Sequence, residues 1–189
     1  MQIHAANGYL IDEFLRDGTN HRTDSYGGPV ENRVRLLREV VEAVAETVGA
    51  DRTGVRLSPN GAIQGCNDSD PARLFVAAAQ VLQQAGISYL EMREPGEGGT
   101  FGTSDHPPIA PMMRRVFTGP MILNSDYDSA GAVAAVADGK ADAIAFGRPF
   151  IANPDLPRRI ADSVPLAKDV ARTWYSQGPM GYVDYPAAA

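Results

Sequence analysis

Within its first ten residues the chain carries three side chains that could serve one reaction: His4, Asn7 and Tyr9, in the run His4-Ala5-Ala6-Asn7-Gly8-Tyr9. An imidazole and a carboxamide can each donate a hydrogen bond toward one oxygen atom, and donors aimed where negative charge develops stabilise a transition state. A phenol beside them can supply a proton. Taken singly, each has a plainer explanation: His4 as a satisfied core histidine, Asn7 as a turn residue, Tyr9 as a helix-start aromatic. Three together at this spacing point to function. Arg56 at the end of Thr53-Gly54-Val55-Arg56-Leu57-Ser58, and Gly147-Arg148 after Ala141–Phe146, add permanent cations at the ends of apolar segments.

Side chains so placed need strands that end in loops. Ile3 to Ala6 reads as the last residues of a buried strand, after which Gly8 frees the backbone to enter the amphipathic run Tyr9–Leu15. In parallel α/β proteins ligands sit outside the carboxyl ends of strands, so His4, Asn7 and Tyr9 are expected to face a pocket. Asp17 to Gly28 is a polar loop. From Val30 the apolar residues Val34, Leu37, Val41, Val44 and Val48 keep helical spacing, which predicts one helix ended by Gly49. Asp70 is a plausible N-cap for a helix carrying Leu74, Phe75, Ala78 and Leu82. Ile87 to Met92 reads as a strand and Arg93 to Asp105 as a loop. Ile109–Phe117, Met121–Leu123, Ser129–Asp138 and Ala141–Phe146 continue the alternation, and a short helical segment around Asp155–Ser163 precedes an irregular tail.

The bulk composition narrows the classes. The chain has 189 residues, 44% apolar and 21% charged, which suits one soluble domain. Its net charge of −6 is spread along the chain, against a nucleic-acid or anionic-membrane partner. Cys66 is the only cysteine, so no internal disulfide forms, and a reducing cytoplasm is expected. No window approaches the roughly 18 apolar residues of a membrane span.

Five strands alternating strictly with helices predict an α/β fold with parallel crossovers. No Gly-x-Gly-x-x-Gly follows a strand and no Walker-type Gly-Lys-Ser/Thr occurs, which removes the main support for a nucleotide-binding open sheet. The (β/α)8 TIM barrel is preferred. A barrel closes with about eight strands, so five leave unpaired edges.

The segments HAANGYL, NHRTDSYGGPVENR, GVRLSP, AFGRPFIANPDLP and GYVDYP, in that order, resemble the Old Yellow Enzyme family of flavin-dependent ene-reductases from Ile3 to Pro186. The resemblance implies that residues 1–189 are the C-terminal part of a single FMN-binding TIM-barrel domain, supplying about its last five βα units from the fourth strand onward. It further implies FMN as cofactor, NADH or NADPH as hydride donor, and an activated alkene such as an enone, enal or nitroalkene as substrate. His4 and Asn7 would hold the substrate oxygen, Tyr9 would protonate the α-carbon, and Arg56 would face the flavin N1 and C2 carbonyl edge. Gly147 and Arg148, with Asn124 and Ser125, would bind the flavin phosphate. Tyr175, with Trp174 beside it, would edge the substrate pocket. Arg22, Thr23, Asp24, Glu31, Asn32 and Arg33 are expected to be structural ties, and His21 and His106 loop residues.

Two other readings remain at this stage. A barrel aldolase or metal-dependent lyase finds little to use: Lys140 and Lys168 are the only lysines and neither follows a strand, while Glu91 is the one acidic residue expected at a strand exit near His4. No metal site is expected. The other is a catalytically incomplete fragment, requiring a complementary chain with the earlier strands, or self-association, to cover its edges.

Overall fold

The computed structural model, which describes residues 1–61, 63–96, 99, 104 and 106–188, contains five short strands. These are β1 (Gln2–His4), β2 (Gly54–Leu57), β3 (Tyr89–Arg93), β4 (Met121–Asn124) and β5 (Ala143–Ala145). Their spatial order follows the chain, β1-β2-β3-β4-β5. The first four pair in parallel, placing His4 beside Arg56, Arg56 beside Glu91, and Arg93 beside Asn124. An order without reversal is that of a barrel wall, whereas a doubly wound sheet reverses at a switch point. The expected α/β barrel architecture is therefore present in its later strands.

Two compact units divide the chain, Met1–Ile144 and Ala145–Ala189. The first holds α1 (Leu10–Leu15), α2 (Val30–Arg33), α3 (Arg35–Val48), α4 (Pro71–Gln84), α5 (Ala110–Met113) and α6 (Ser129–Ala137). Its core joins one face of the sheet to the helices: Ile3, Val55, Leu57, Leu90, Met92 and Leu123 meet Leu15, Leu37, Val41, Leu74, Phe75 and Leu82. Burying each such side chain contributes on the order of 1.5–3 kcal/mol. Asp70 caps α4 as expected, its Oδ1 accepting the Arg73 N–H at 3.1 Å, with Pro71 opening the helix.

Several boundaries differ from expectation. β1 stops at His4 rather than Ala6, although the Ala5 N–H still reaches Arg56 O at 2.9 Å. The single helix expected from Val30 is broken at Val34, whose ψ is −6°. The break adjoins Arg33, whose guanidinium is drawn inward to Leu15 O and to Asp68. Of Ile109–Phe117 only α5 is α-helical, the rest being tight turns. Arg93, expected in a loop, is the last residue of β3.

The second unit holds α7 (Arg148–Ala152) and α8 (Leu156–Ala161). Its tail is irregular apart from one 3-10 turn, Ala171–Thr173. Arg159 ties it down, pairing with Asp155 at 2.7 Å and donating to Pro165 O and Pro186 O, each at 3.0 Å. Among the described residues no helix is long and apolar enough to cross a membrane, and no group of three His, Cys, Asp or Glu side chains could hold a metal ion.

Candidate active site

β1 delivers His4 to the end of the strand, and the buried Ala5 and Ala6 lead into a turn in which Asn7 and Gly8 take left-handed backbone, φ 60° and 74°. Asparagine tolerates that region better than most residues, and glycine carries no Cβ penalty. A Cβ on Gly8 would also come within 2.7 Å of Ile63 O.

Buried polar groups hold this turn. The Asn7 N–H donates to Ser58 Oγ at 2.8 Å, and the Gly8 N–H to Asp12 Oδ2 at 2.9 Å. Ser58 Oγ donates in turn to Asp12 Oδ2 at 3.3 Å. Arg16 completes the cluster, with Nε on Asp12 at 2.9 Å and Nη2 on Ser58 O. Asp12 and Ser58 are wholly excluded from solvent and Arg16 nearly so, lying over the Phe75 ring at 5.0 Å. A satisfied buried ion pair of this kind keeps a unique geometry at the cost of great sensitivity to loss of one partner. Sequence reasoning missed this cluster, whose signal was the i, i+4 spacing of Asp12 and Arg16.

Tyr9 occupies the N-cap position of α1, 55% exposed, with its ring 5.3 Å from that of His4 and tilted by 59°. His4 lies next to Arg56 in register. Burial, and then the Arg56 charge, hold its pKa below the ordinary value, so the ring is neutral at pH 7 and keeps one N–H to donate.

The face of the sheet that carries His4 is polar across its width. Arg56 Nε is 3.5 Å from Glu91 Oε1, an ion pair without a hydrogen bond, and this Nε is buried. Arg56 Nη2 donates to Asn124 Oδ1 at 3.3 Å, and Gln2 Nε2 donates to Glu91 Oε2 at 2.6 Å. Arg93, 7% exposed, donates from Nη1 to Asn7 Oδ1 at 3.3 Å. Burial and the neighbouring Arg56 lower its pKa. Beyond Asn124 the chain turns through Ser125 (φ 119°) and Asp126 (φ 51°), a strained pair at a strand exit.

His4, Tyr9, Arg56 and Asn124 are thus joined by contacts or by register, Asn7 is linked to them through Arg93, and Ser125 follows Asn124 directly. Gly147, Arg148 and Tyr175 belong to the second unit: Gly147 precedes α7, Arg148 opens it, and Tyr175 is 91% exposed beside a partly buried Trp174. Glu91 lies mid-strand, committed to Arg56 and Gln2, rather than at a strand exit. Lys140 pairs with Asp138 at 2.9 Å, away from any strand end. Arg93 was within reach of sequence reasoning, because Tyr89, Glu91 and Arg93 alternate with Leu90 and Met92. Glu94, also missed, accepts the Ile109 N–H at 2.6 Å and the Ala110 N–H at 3.1 Å, and burial raises its pKa.

The signature loop behaves as a set of ties. Arg22 pairs with Asp24, Asn32 Nδ2 donates to Gly27 O at 3.0 Å, and the buried Arg33 meets Asp68 at 2.5 Å. Glu31 reaches Arg73 across an exposed 3.6 Å. His21 and His106 are exposed loop residues. Cys66 is buried, its Sγ 3.8 Å from Thr19 Oγ1, and burial pushes its thiol pKa up.

The NADH:flavin oxidoreductase / NADH oxidase family matches residues 1–167. The chain belongs to this family. Putative 12-oxophytodienoate reductase 10 of Oryza sativa subsp. japonica is 45% identical over 98% of this chain and 61% of its own length. The Old Yellow Enzyme homologue from Zymomonas mobilis is 59% identical, with a TM-score of 0.97 over 99% of this chain and 53% of that one. Morphinone reductase in complex with tetrahydroNAD is 42% identical, with a TM-score of 0.91 over 100% of this chain and 50% of that one. The chain therefore spans about half the length of the related enzymes of known structure.

Proposed function

We propose that the protein formed by this chain is a flavin-dependent ene-reductase acting on enones, enals or nitroalkenes. The placement of His4, Asn7 and Tyr9 at one strand exit, with the His4 and Tyr9 rings in contact and Arg56 on the next strand, supports this reading. The donor set suits a flavin: Arg56 presents a buried Nε whose charge is met by Glu91 without a hydrogen bond, and Nη1 has no hydrogen bond among the described residues. A guanidinium so placed fits the N1 and C2 carbonyl edge of FMN. When bound, FMN supplies the hydride that NADH or NADPH has provided. His4 and Asn7 donate to the substrate oxygen, strengthening as it gains charge, and the Tyr9 phenol gives its proton to the α-carbon. Gly147 and Arg148 are assigned to the phosphate, with Asn124 and Ser125, and Tyr175 to the substrate, on the family resemblance alone. Replacing Tyr9 by phenylalanine is expected to slow alkene reduction about 100-fold while sparing flavin reduction by the nicotinamide, measured separately by stopped-flow absorbance. Unchanged alkene turnover removes Tyr9 from this role.

We also propose that the barrel is completed outside these residues, by a complementary chain carrying the earlier strands or by self-association. The half-length match and the exposed outer strand β1 support it. Size-exclusion chromatography of the 189-residue chain, followed at the flavin absorbance, tests this; a monodisperse, flavin-bearing monomer contradicts it.

A further inference from the structure

Asn7 is fixed at three of its four polar positions. Its N–H donates to Ser58 Oγ at 2.8 Å, its carbonyl accepts from Gln64 Nε2 at 3.3 Å, and its side-chain oxygen accepts from Arg93 Nη1 at 3.3 Å. Only the amide NH2 end is without a hydrogen bond among the described residues. The two ends of a carboxamide are chemically opposite, one accepting and the other donating twice, whereas a guanidinium only donates. Turning the amide over would set Arg93 donor against Asn7 donor. Arg93 therefore selects one of two orientations that have almost the same shape.

Nothing in the proposed reaction requires a cation at position 93. The side chain is 7% exposed, stands one layer beyond Glu91 on the polar face, and feels the charges of both Arg56 and Asp126. A guanidinium bound to an amide oxygen also polarises that amide, making the NH2 end a stronger donor.

We infer that Arg93 is a positioning residue, one that locks the Asn7 carboxamide with its NH2 end presented to the substrate. The inference rests on the clamp role proposed for His4 and Asn7 and narrows it. With its oxygen turned to Arg93, Asn7 presents its donors on the side away from that guanidinium. The clamp then favours alkenes whose activating group is a pure acceptor, a carbonyl or nitro oxygen that gains charge, and disfavours a hydroxyl that must donate.

The test is a double-mutant cycle in the flavin-loaded protein that contains this chain. Arg93→Met, Arg93→Lys, Asn7→Ala and the Arg93→Met/Asn7→Ala pair are compared by kcat and KM with an enone, and by calorimetric affinity for the corresponding saturated ketone, which is bound but not reduced. Arg93→Met is expected to lower kcat/KM and ketone affinity by about tenfold each, the size of one misaligned hydrogen bond, and Arg93→Lys to recover most of both. The double variant is expected to lose no more than Asn7→Ala alone. Should Arg93→Met fail to fold by circular dichroism, Arg93→Leu, which likewise removes the charge and every donor, takes its place with the same expectation. Losses that add in the double variant overturn the inference while leaving the clamp intact; full activity in Asn7→Ala overturns the clamp and the inference with it.

Discussion

Leu90 and Glu91 are neighbours on β3 and face opposite ways. Leu90 is fully buried among helices with Met92, Val55 and Leu57, while Glu91 lies on a face where Arg56, Gln2, Arg93 and Asn124 make polar contacts. One face is held by apolar packing that does not depend on charge or direction. The other is held by ion pairs and hydrogen bonds whose value depends on geometry, so it contributes less to stability and can be shaped for chemistry. The His4 turn lies where the two regimes meet: its donors belong to the polar face, yet Asp12, Arg16 and Ser58 support it from within the covered side.

That contrast can be broken at graded points. Asp12→Asn removes the charge that Arg16 and Gly8 share, leaving a buried guanidinium uncompensated, and is expected to cost about 3–5 kcal/mol in urea denaturation. A loss below 1 kcal/mol, on the order of an exposed pair, would mean that the cluster is not part of the core. Leu90→Ala is expected to cost about 3 kcal/mol from lost transfer energy and a residual cavity, against about 1 kcal/mol for Glu91→Gln on the opposite face, read from the same denaturation midpoints. Equal losses would erase the distinction between the faces.

The smallest effect concerns pH. The folded pKa of His4 is lowered by burial and by Arg56, so the unfolded chain holds the proton more tightly. The stabilising contribution of neutral His4 is fully present above its ordinary value of 6.5 and is lost as pH falls through the folded value. Relative to His4→Gln, the unsubstituted protein should therefore lose stability as pH falls from 7 through 6.5 and on through the lowered folded value. A difference in denaturation midpoint that stays constant over that range is incompatible with the lowered pKa.

Much of the architecture is legible in residue order. The 3.6-residue spacing of Leu37, Val41 and Val44 marks the helix, the Asp70-Pro71 pair marks a helix start, and the alternation of strands with helices marks a parallel α/β fold. The missing breaks had tertiary causes. Val34 interrupts a helix beside an arginine tied to Leu15 and Asp68, residues distant in sequence. Arg93 read as loop because glycines follow it, and only pairing with β4 places it in the sheet.

For the site, the sequence alone determined which side chains were available and that His4, Asn7 and Tyr9 leave a strand together, because chain connectivity fixes neighbours a few residues apart. It could not determine how Asn7 is oriented, that Arg56 is matched by Glu91, or that Ser58 and Asp12 hold the turn. Those depend on residues far apart in the chain lying side by side in one sheet: Arg56 with Glu91 across β2 and β3, Asn7 with Ser58 across 51 positions, and Arg93 reaching back 86 positions to Asn7. Hydrogen bonds are decided over a few tenths of an ångström, and only the assembled sheet sets distances that finely.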